Sequence, residues 1–232
     1  MLAEVERIAR AVPSACPHCG RPLKTTTVEV CGHRMEVNCW ASCGCEESRL
    51  DGEGVMPLER RCIAAGVPKK HLHAQAPDAE EIAGSAASGR WVFIHGPYGV
   101  GKTRLASCVA RECLRMGLTV MFANAQRLIE DAKDDFSIGG NTVDRAMGCG
   151  VLVLDDLGKG RQTAWSVGEL YGLLDARYAE ERPVVAVSNQ NGSELLRRLA
   201  QGDEDAARAI ISRLCGGSLD YAMEGPDMRF GR

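Results

Sequence analysis

The sequence is poor in aromatic side chains, with 3 Trp, 4 Tyr and 4 Phe in 232 residues. That scarcity argues against a surface that grips single strands chiefly by stacking bases on rings. An excess of either charge is missing as well: 28 basic residues face 31 acidic ones, a formal net charge of −3. Any contact with nucleic acid therefore has to be local rather than a property of the whole molecular field. No apolar run is long enough to cross a bilayer, and the opening MLAEVERIARAV is interrupted by Glu4, Glu6, Arg7 and Arg10. These absences set the expectation of a cytoplasmic protein with neither a secretory signal nor a membrane partner. There is no internal repeat and no low-complexity tract. What remains, 45% hydrophobic and 25% charged residues, is a globular chain long enough for one main core and a small appendage.

Cysteine, by contrast, is plentiful and unevenly placed. Of 11 cysteines, Cys16, Cys19, Cys31, Cys39, Cys43 and Cys45 crowd into thirty residues. In a reducing compartment such crowding holds metal more often than disulfides. CPHCG supplies a C-x-x-C pair and NCWASCGCEE offers Cys39, Cys43 and Cys45. The β-prone TTTVEV and RMEVNC between them predict a hairpin that brings two thiolate pairs around a tetrahedral Zn²⁺, whose binding supplies folding energy that so short a segment lacks. The spacing leaves open which thiols ligate, whether His18 or His33 intrudes, and whether an iron–sulfur cluster or plain buried thiols stand there instead. An amphipathic helix, with Leu2, Val5, Ile8 and Val12 on one face, precedes this zinc-ribbon-like module. The expected organisation is therefore 1–55 for helix and metal module, 56–89 for a linker and lead-in helix, and 90–232 for the main domain.

After Arg90 short apolar runs alternate with helices. WVFIH, LTVMFA, VLVLD and PVVAVS have the composition of strands buried on both faces. Between the first two, Leu105, Cys108, Val109 and Met116 share a helical face; a helix over about 164–181 carries Val167, Leu170, Tyr171, Leu174 and Tyr178. Strand and helix in alternation mean an α/β fold with a parallel sheet flanked by helices.

The strand at His95 runs into GPYGVGKT: Gly96, Pro97, Tyr98, Gly99, Val100, Gly101, Lys102 and Thr103, followed by Arg104. This fits the G-x-x-x-x-G-K-[ST] phosphate loop in its required place, after a strand and before a helix. Glycines let backbone N–H groups turn toward phosphate, the helix N-terminus adds partial positive charge, Lys102 reaches the β- and γ-phosphates of ATP, and the Thr103 hydroxyl suits Mg²⁺. The strand VLVLDDLG ends in Asp155, placed for the same Mg²⁺, and Asp156, placed as general base toward an attacking water. VVAVSNQN brings Ser188, Asn189 and Asn191 to the same sheet edge, where Asn189 either orients water or caps a turn.

The series GPYGVGKT, VLVLDDLG, ELYGLLDARYAEERPVVAVSNQ and RAIISRL resembles the AAA+ ATPases that load the replicative helicase in bacteria and phages, the DnaC and DnaI type. It is similar as well to the related IstB-type transposition helpers. The resemblance spans about 66–229. It implies a five-stranded sheet in the order 5-1-4-3-2 and ATP or ADP at its C-terminal edge. It also implies a catalytic set of Lys102, Asp155, Asp156, Asn189 and Arg213, with Arg213 acting as an arginine finger on the neighbouring subunit of a homo-oligomer. Arg229 falls where the family carries a phosphate-sensing arginine. The same resemblance favours Cys16, Cys19, Cys43 and Cys45 as the zinc ligands, with Cys39 able to replace Cys45. Arg208, five residues before Arg213, sits elsewhere on the helix and is expected at the surface. The segment 125–150, with a loop at DDFSIGGN, is where such proteins touch single-stranded DNA; its basic candidates are Arg127, Lys133 and Arg145, joined by Lys159 and Arg161. The expected function is an ATP-dependent loader of a hexameric replicative helicase. A transposition helper, a small-molecule kinase and a nucleotide-gated adaptor with little hydrolysis are the competing readings.

Overall fold

Four of the five strands in the main sheet are short, mostly apolar runs, the composition expected where helices cover both faces of a sheet. The computed structural model describes residues 24–30, 33–39, 58–138 and 142–228, and the chain divides into two compact units, Met1–Arg60 and Arg61–Arg232. In the first unit β1 (Lys24–Val30) and β2 (His33–Cys39) form an antiparallel hairpin, with Lys24 opposite Cys39 and Val30 opposite His33. This is the hairpin expected between the cysteine pairs. Cys16, Cys19, Cys43 and Cys45 themselves lie outside the described residues, as do the amphipathic segment at 2–12 and Arg229.

The chain then runs through α1 (Leu58–Ala64), a 3₁₀ turn (Lys69–His71) and α2 (Ala79–Ala87). The alternating part follows as β3 (Val92–His95), α3 (Lys102–Arg115), β4 (Val120–Asn124), α4 (Ala125–Ile138), α5 (Thr142–Gly148) and β5 (Val151–Leu157). It closes with α6 (Ala164–Ala179), β6 (Val184–Ser188), α7 (Gly192–Leu199), α8 (Glu204–Cys215) and β7 (Leu219–Ala222). The sheet order is β4-β5-β6-β3-β7, with every neighbouring pair parallel. Counted from β3 as the first strand this is 5-1-4-3-2, the order the resemblance implies. Every residue of β6 is buried, and Phe93, Leu152, Leu154, Leu174, Ile210 and Leu214 meet in the core. No helix among the described residues is long and apolar enough to cross a membrane.

Three local readings of the sequence are corrected. The inward side of α6 is Val167, Leu170, Leu173, Leu174 and Arg177, with Tyr171 packed partly buried against it as expected, and this leaves Tyr178 one position off the seam. Tyr178 is consequently exposed, with its ring edge-on to Trp91 at 6.1 Å. Met116 follows the last turn of α3, beyond the core, and is exposed as well. The stretch DDFSI belongs to α4, which continues to Ile138, instead of forming a loop.

The lead-in segment is part of this architecture. The Phe122 amide donates to the Ala65 carbonyl at 2.6 Å, so the outer strand β4 does not present that donor as an open edge. Gly66 lies so close that a Cβ on it would stand 2.4 Å from the Phe122 oxygen, at a φ of +91°. Only glycine fits that turn.

Candidate nucleotide site

β3 lies between β6 and β7 and is buried along three of its four residues. Its C-terminal end is therefore a fixed platform, and the loop from Gly96 to Gly101 turns on it into the first turn of α3. Gly99 and Gly101 take φ values of +80° and +96°, a region open to glycine at no steric cost. Lys102 is buried, and its Nζ donates to the carbonyl oxygens of Gly96 and Pro97 at 2.8 and 2.6 Å. Its ammonium is thus held over the concave side of the loop. Segment 223–228 closes the other side: the Met223 amide donates to the His95 oxygen at 2.7 Å and the Met228 amide to the Gly99 oxygen at 3.1 Å.

Thr103 Oγ1 lies 3.1 and 3.0 Å from the two oxygens of Asp155. Burial pushes the Asp155 carboxyl above the usual aspartate range, and the Thr103 hydrogen bond partly offsets this. A buried carboxylate sharing a site with one hydroxyl has the hard-oxygen chemistry of a Mg²⁺ ligand pair.

Successive side chains of a regular strand face opposite sides of the sheet, yet Asp155 and Asp156 line one cavity. The reason is local. Asp156 has a φ of +59°, and the β5–β6 register shifts between Leu154 and Leu157. This irregularity turns the second carboxylate back to the side of the first. Ser188 Oγ holds the bend by donating to the Leu157 oxygen at 2.8 Å. Asp156 Oδ2 accepts from Lys159 Nζ at 2.9 Å and from Asn124 Nδ2 at 3.3 Å. The Asp156 carboxylate in turn raises Lys159 above the ordinary lysine range.

The cavity, of about 710 Å³, brings together Lys102, Thr103, Arg104, Asp155, Asp156 and Asn189, with Tyr98 at its lip and Lys70 and His71 reaching in from the 3₁₀ turn. Burial, with Lys70 and Arg104 nearby, lowers the pKa of His71. Asn191, with Glu194, forms the capping box of α7, and Asn189 lines the cavity. Arg104 donates through Nε and Nη2 to the Gln75 oxygen at 3.1 and 2.7 Å, pinning the lead-in segment beside the loop. Next to it Ala76, Pro77, Val100, Leu105, Tyr221 and Met228 line a smaller, largely apolar slot of about 180 Å³, suited in size and character to one face of a purine. A hydrogen bond to Asp78 pushes the Tyr221 phenol up to about 12.

Arg213 does not line this cavity. It sits on α8, paired with Asp175 and stacked over Tyr171 and Tyr178 at 5.1 and 5.4 Å. Arg208 pairs with Glu204 at the surface, as expected. On the other side of Asp156, exposed Trp165 stands with Lys133 Nζ 6.0 Å from its ring centre. A cleft of about 200 Å³ joins it to Lys159, Arg161 and Gln162. Sequence reasoning singled out the lysines and arginine but passed over Trp165. It also passed over Asn124, whose position at the C-terminal end of the strand next to Asp155 was the available signal. Arg127 pairs loosely with Asp131 at 3.9 Å and Arg145 is exposed. Among the described residues no cluster of His, Cys, Asp and Glu has the makings of a metal centre.

A parallel sheet in this order, with a glycine phosphate loop on its central strand and paired acids on the next strand but one, defines a P-loop ATPase of the AAA+ class. The profile of the IstB-like ATP-binding proteins matches residues 86–230. The chain belongs to that family. An ATP-binding protein from an insertion sequence of Mycobacterium tuberculosis is 29% identical over 150 residues, 61% of this chain and 57% of the relative. The replicative helicase loader DnaC of Escherichia coli is 24% identical over 165 residues, 67% of this chain and 66% of the relative. The chain thus spans somewhat less than two-thirds of the length of these relatives. The crystal structure of DnaI superposes with a TM-score of 0.59 at 21% identity, over 68% of this chain and 94% of the other, a likeness of fold.

Proposed function

We propose that this protein binds a hexameric replicative helicase and loads it onto single-stranded DNA, using ATP binding and hydrolysis at the junctions of a homo-oligomer. The observation that carries the nucleic-acid part of the reading is the cleft at Trp165. An exposed indole flanked by Lys133, Arg161 and Lys159 offers a base-stacking face beside phosphate-binding cations, the combination that sequence-tolerant single-strand binding requires. The similarity to DnaC supports the choice of a helicase as partner.

In the proposed mechanism the phosphates lie in the loop from Gly96 to Thr103. Lys102 leaves the loop carbonyls to meet the β- and γ-phosphates, and the purine enters the slot bounded by Val100 and Met228. Thr103 and Asp155 are the residues that would hold Mg²⁺, which supplies charge neutralisation on the phosphate oxygens when bound. Asp156 accepts the proton of a water that Asn189 orients. Arg213 exchanges Asp175 for a γ-phosphate across the junction and stabilises the charge that develops there. Arg229 is proposed as a second arginine toward the phosphates. A zinc site of Cys16, Cys19, Cys43 and Cys45, with Cys39 as the alternative to Cys45, is proposed to build the surface that docks on the helicase.

The deciding experiment measures ATP hydrolysis with and without single-stranded DNA and the cognate helicase, with Lys102→Ala and Arg213→Ala as controls. Dependence on both residues and a response to DNA or helicase are expected. A rate indifferent to DNA, helicase and Arg213 would sink the reading. The relative from an insertion sequence favours a second reading, a transposition helper. Capture of a transposase but not the helicase by the full chain would decide for it.

A further inference from the structure

Lys159 belongs to two places at once. It borders the nucleotide cavity, where its Nζ stands 2.9 Å from Asp156 Oδ2, and it borders the cleft at Trp165 with Lys133 and Arg161. The Asp156 side chain is 27% exposed and that of Lys159 56%. An ion pair so open to water is worth well under the strength of a buried one. The ammonium can therefore be exchanged between partners, and the backbone phosphates of a strand lying in the cleft are the competing anions nearest to hand.

We infer that Lys159 is a positioning residue that restrains Asp156 until a single-stranded nucleic acid occupies the Trp165 cleft. While Lys159 and Asn124 both donate to Oδ2, the carboxylate is held in one orientation, turned toward those donors. When a phosphodiester of the bound strand takes the ammonium, the carboxylate keeps only the longer bond to Asn124 and can turn to the attacking water and accept its proton. Hydrolysis then responds to occupancy of a surface that never touches the nucleotide. Geometry favours this direction of coupling. Arg198 pins the turn on both sides of Lys159, donating to the Gly158 and Gly160 oxygens at 3.4 and 2.7 Å, so the long, half-exposed lysine side chain can re-aim while the backbone and β5 stay in place.

This inference rests on the reading of Asp156 as general base and of the cleft as a nucleic-acid surface. The test uses full-length protein and an oligo(dT) probe of about thirty nucleotides, a length spanning several single-strand sites. Binding is read by anisotropy of a labelled strand, and kcat and KM for ATP are read with and without it. Lys159→Met should raise the basal kcat about three- to tenfold, within what one general base contributes. It should leave KM for ATP within about twofold and abolish further stimulation by oligo(dT). Lys159→Arg, which keeps the charge and the donor, should behave as wild type.

An unchanged or lowered basal kcat in Lys159→Met overturns the proposal. So does a raised KM without gain in kcat, since it would put Lys159 on the phosphates of ATP instead. Failure of wild type to bind the strand would overturn the nucleic-acid reading and the release step with it. The restraint on Asp156 is read separately, from the basal rate.

Discussion

Asp155 shows how a single residue can be poor for the fold and indispensable to the site. Its carboxyl is pushed up by burial, so folding disfavours the ionised form. Stability from this group is therefore lost as pH rises from the unfolded aspartate value through the raised folded one, and the penalty persists at neutral pH. Asp155→Asn should accordingly raise the melting temperature without nucleotide. It should also erase the Mg·ATP stabilisation, which for wild type is about 2.7 kcal/mol at a hundredfold excess over Kd. Thermal denaturation at pH 7, with and without Mg·ATP, checks both halves; a variant still stabilised by Mg·ATP would refute the assignment. The paired acids and the phosphate loop were legible because their chemistry demands particular residue types in sequence. Asn189 and Asn191 were not separable that way. Only the backbone direction after β6 shows that Asn191 caps the helix and leaves Asn189 at the cavity.

At the scale of elements, Arg177 does work that periodicity does not reveal. Fully buried in α6, it donates to the carbonyl oxygens of Ala146, Met147, Cys149, Gly150 and Pro183, at 2.7 to 3.2 Å. Several of these carbonyls end α5 and would otherwise be left without partners. One guanidinium thus fastens α5 to the starts of β5 and β6. Arg177→Ala should cost about 3 kcal/mol or more, because unpaired buried carbonyls keep their desolvation penalty. Urea denaturation reads the loss. Lys in its place should recover only part of it, since an ammonium cannot span the same set of acceptors. In the sequence Arg177 looks like any charge on a helix, and nothing local marks it as interior. The strands β3 to β6 were legible as apolar runs, whereas β7 is four residues long with alternate exposure, too brief to leave a pattern. The five-stranded sheet came from the family resemblance, not from periodicity.

For the whole molecule the decisive question is where Arg213 works. In the single chain it rests on Asp175 between two tyrosine rings, away from its own nucleotide cavity. If it serves a neighbour, two inactive variants should complement each other. Lys102→Ala chains retain Arg213, and Arg213→Ala chains retain an intact phosphate loop. An equimolar mixture should recover about one quarter of wild-type hydrolysis by random assortment at head-to-tail junctions. A mixture as inactive as its components would place Arg213 outside the reaction. For the first unit, native mass spectrometry should find one zinc ion per chain, lost on Cys16→Ser with Cys19→Ser. Retention of the metal in that double variant would exclude the C-x-x-C pair as ligands.

The strap formed by Met223 and Met228 has a bearing on the order of biosynthesis. The ribosome delivers β3 and the glycine loop long before segment 223–228, so the nascent loop waits for two of its backbone partners while the rest of the sheet is made. A released chain truncated before Met223 should hold a nearly complete sheet yet fail to retain ATP. Nucleotide can then assist only the last stage of maturation, after the final strand has been laid against β3.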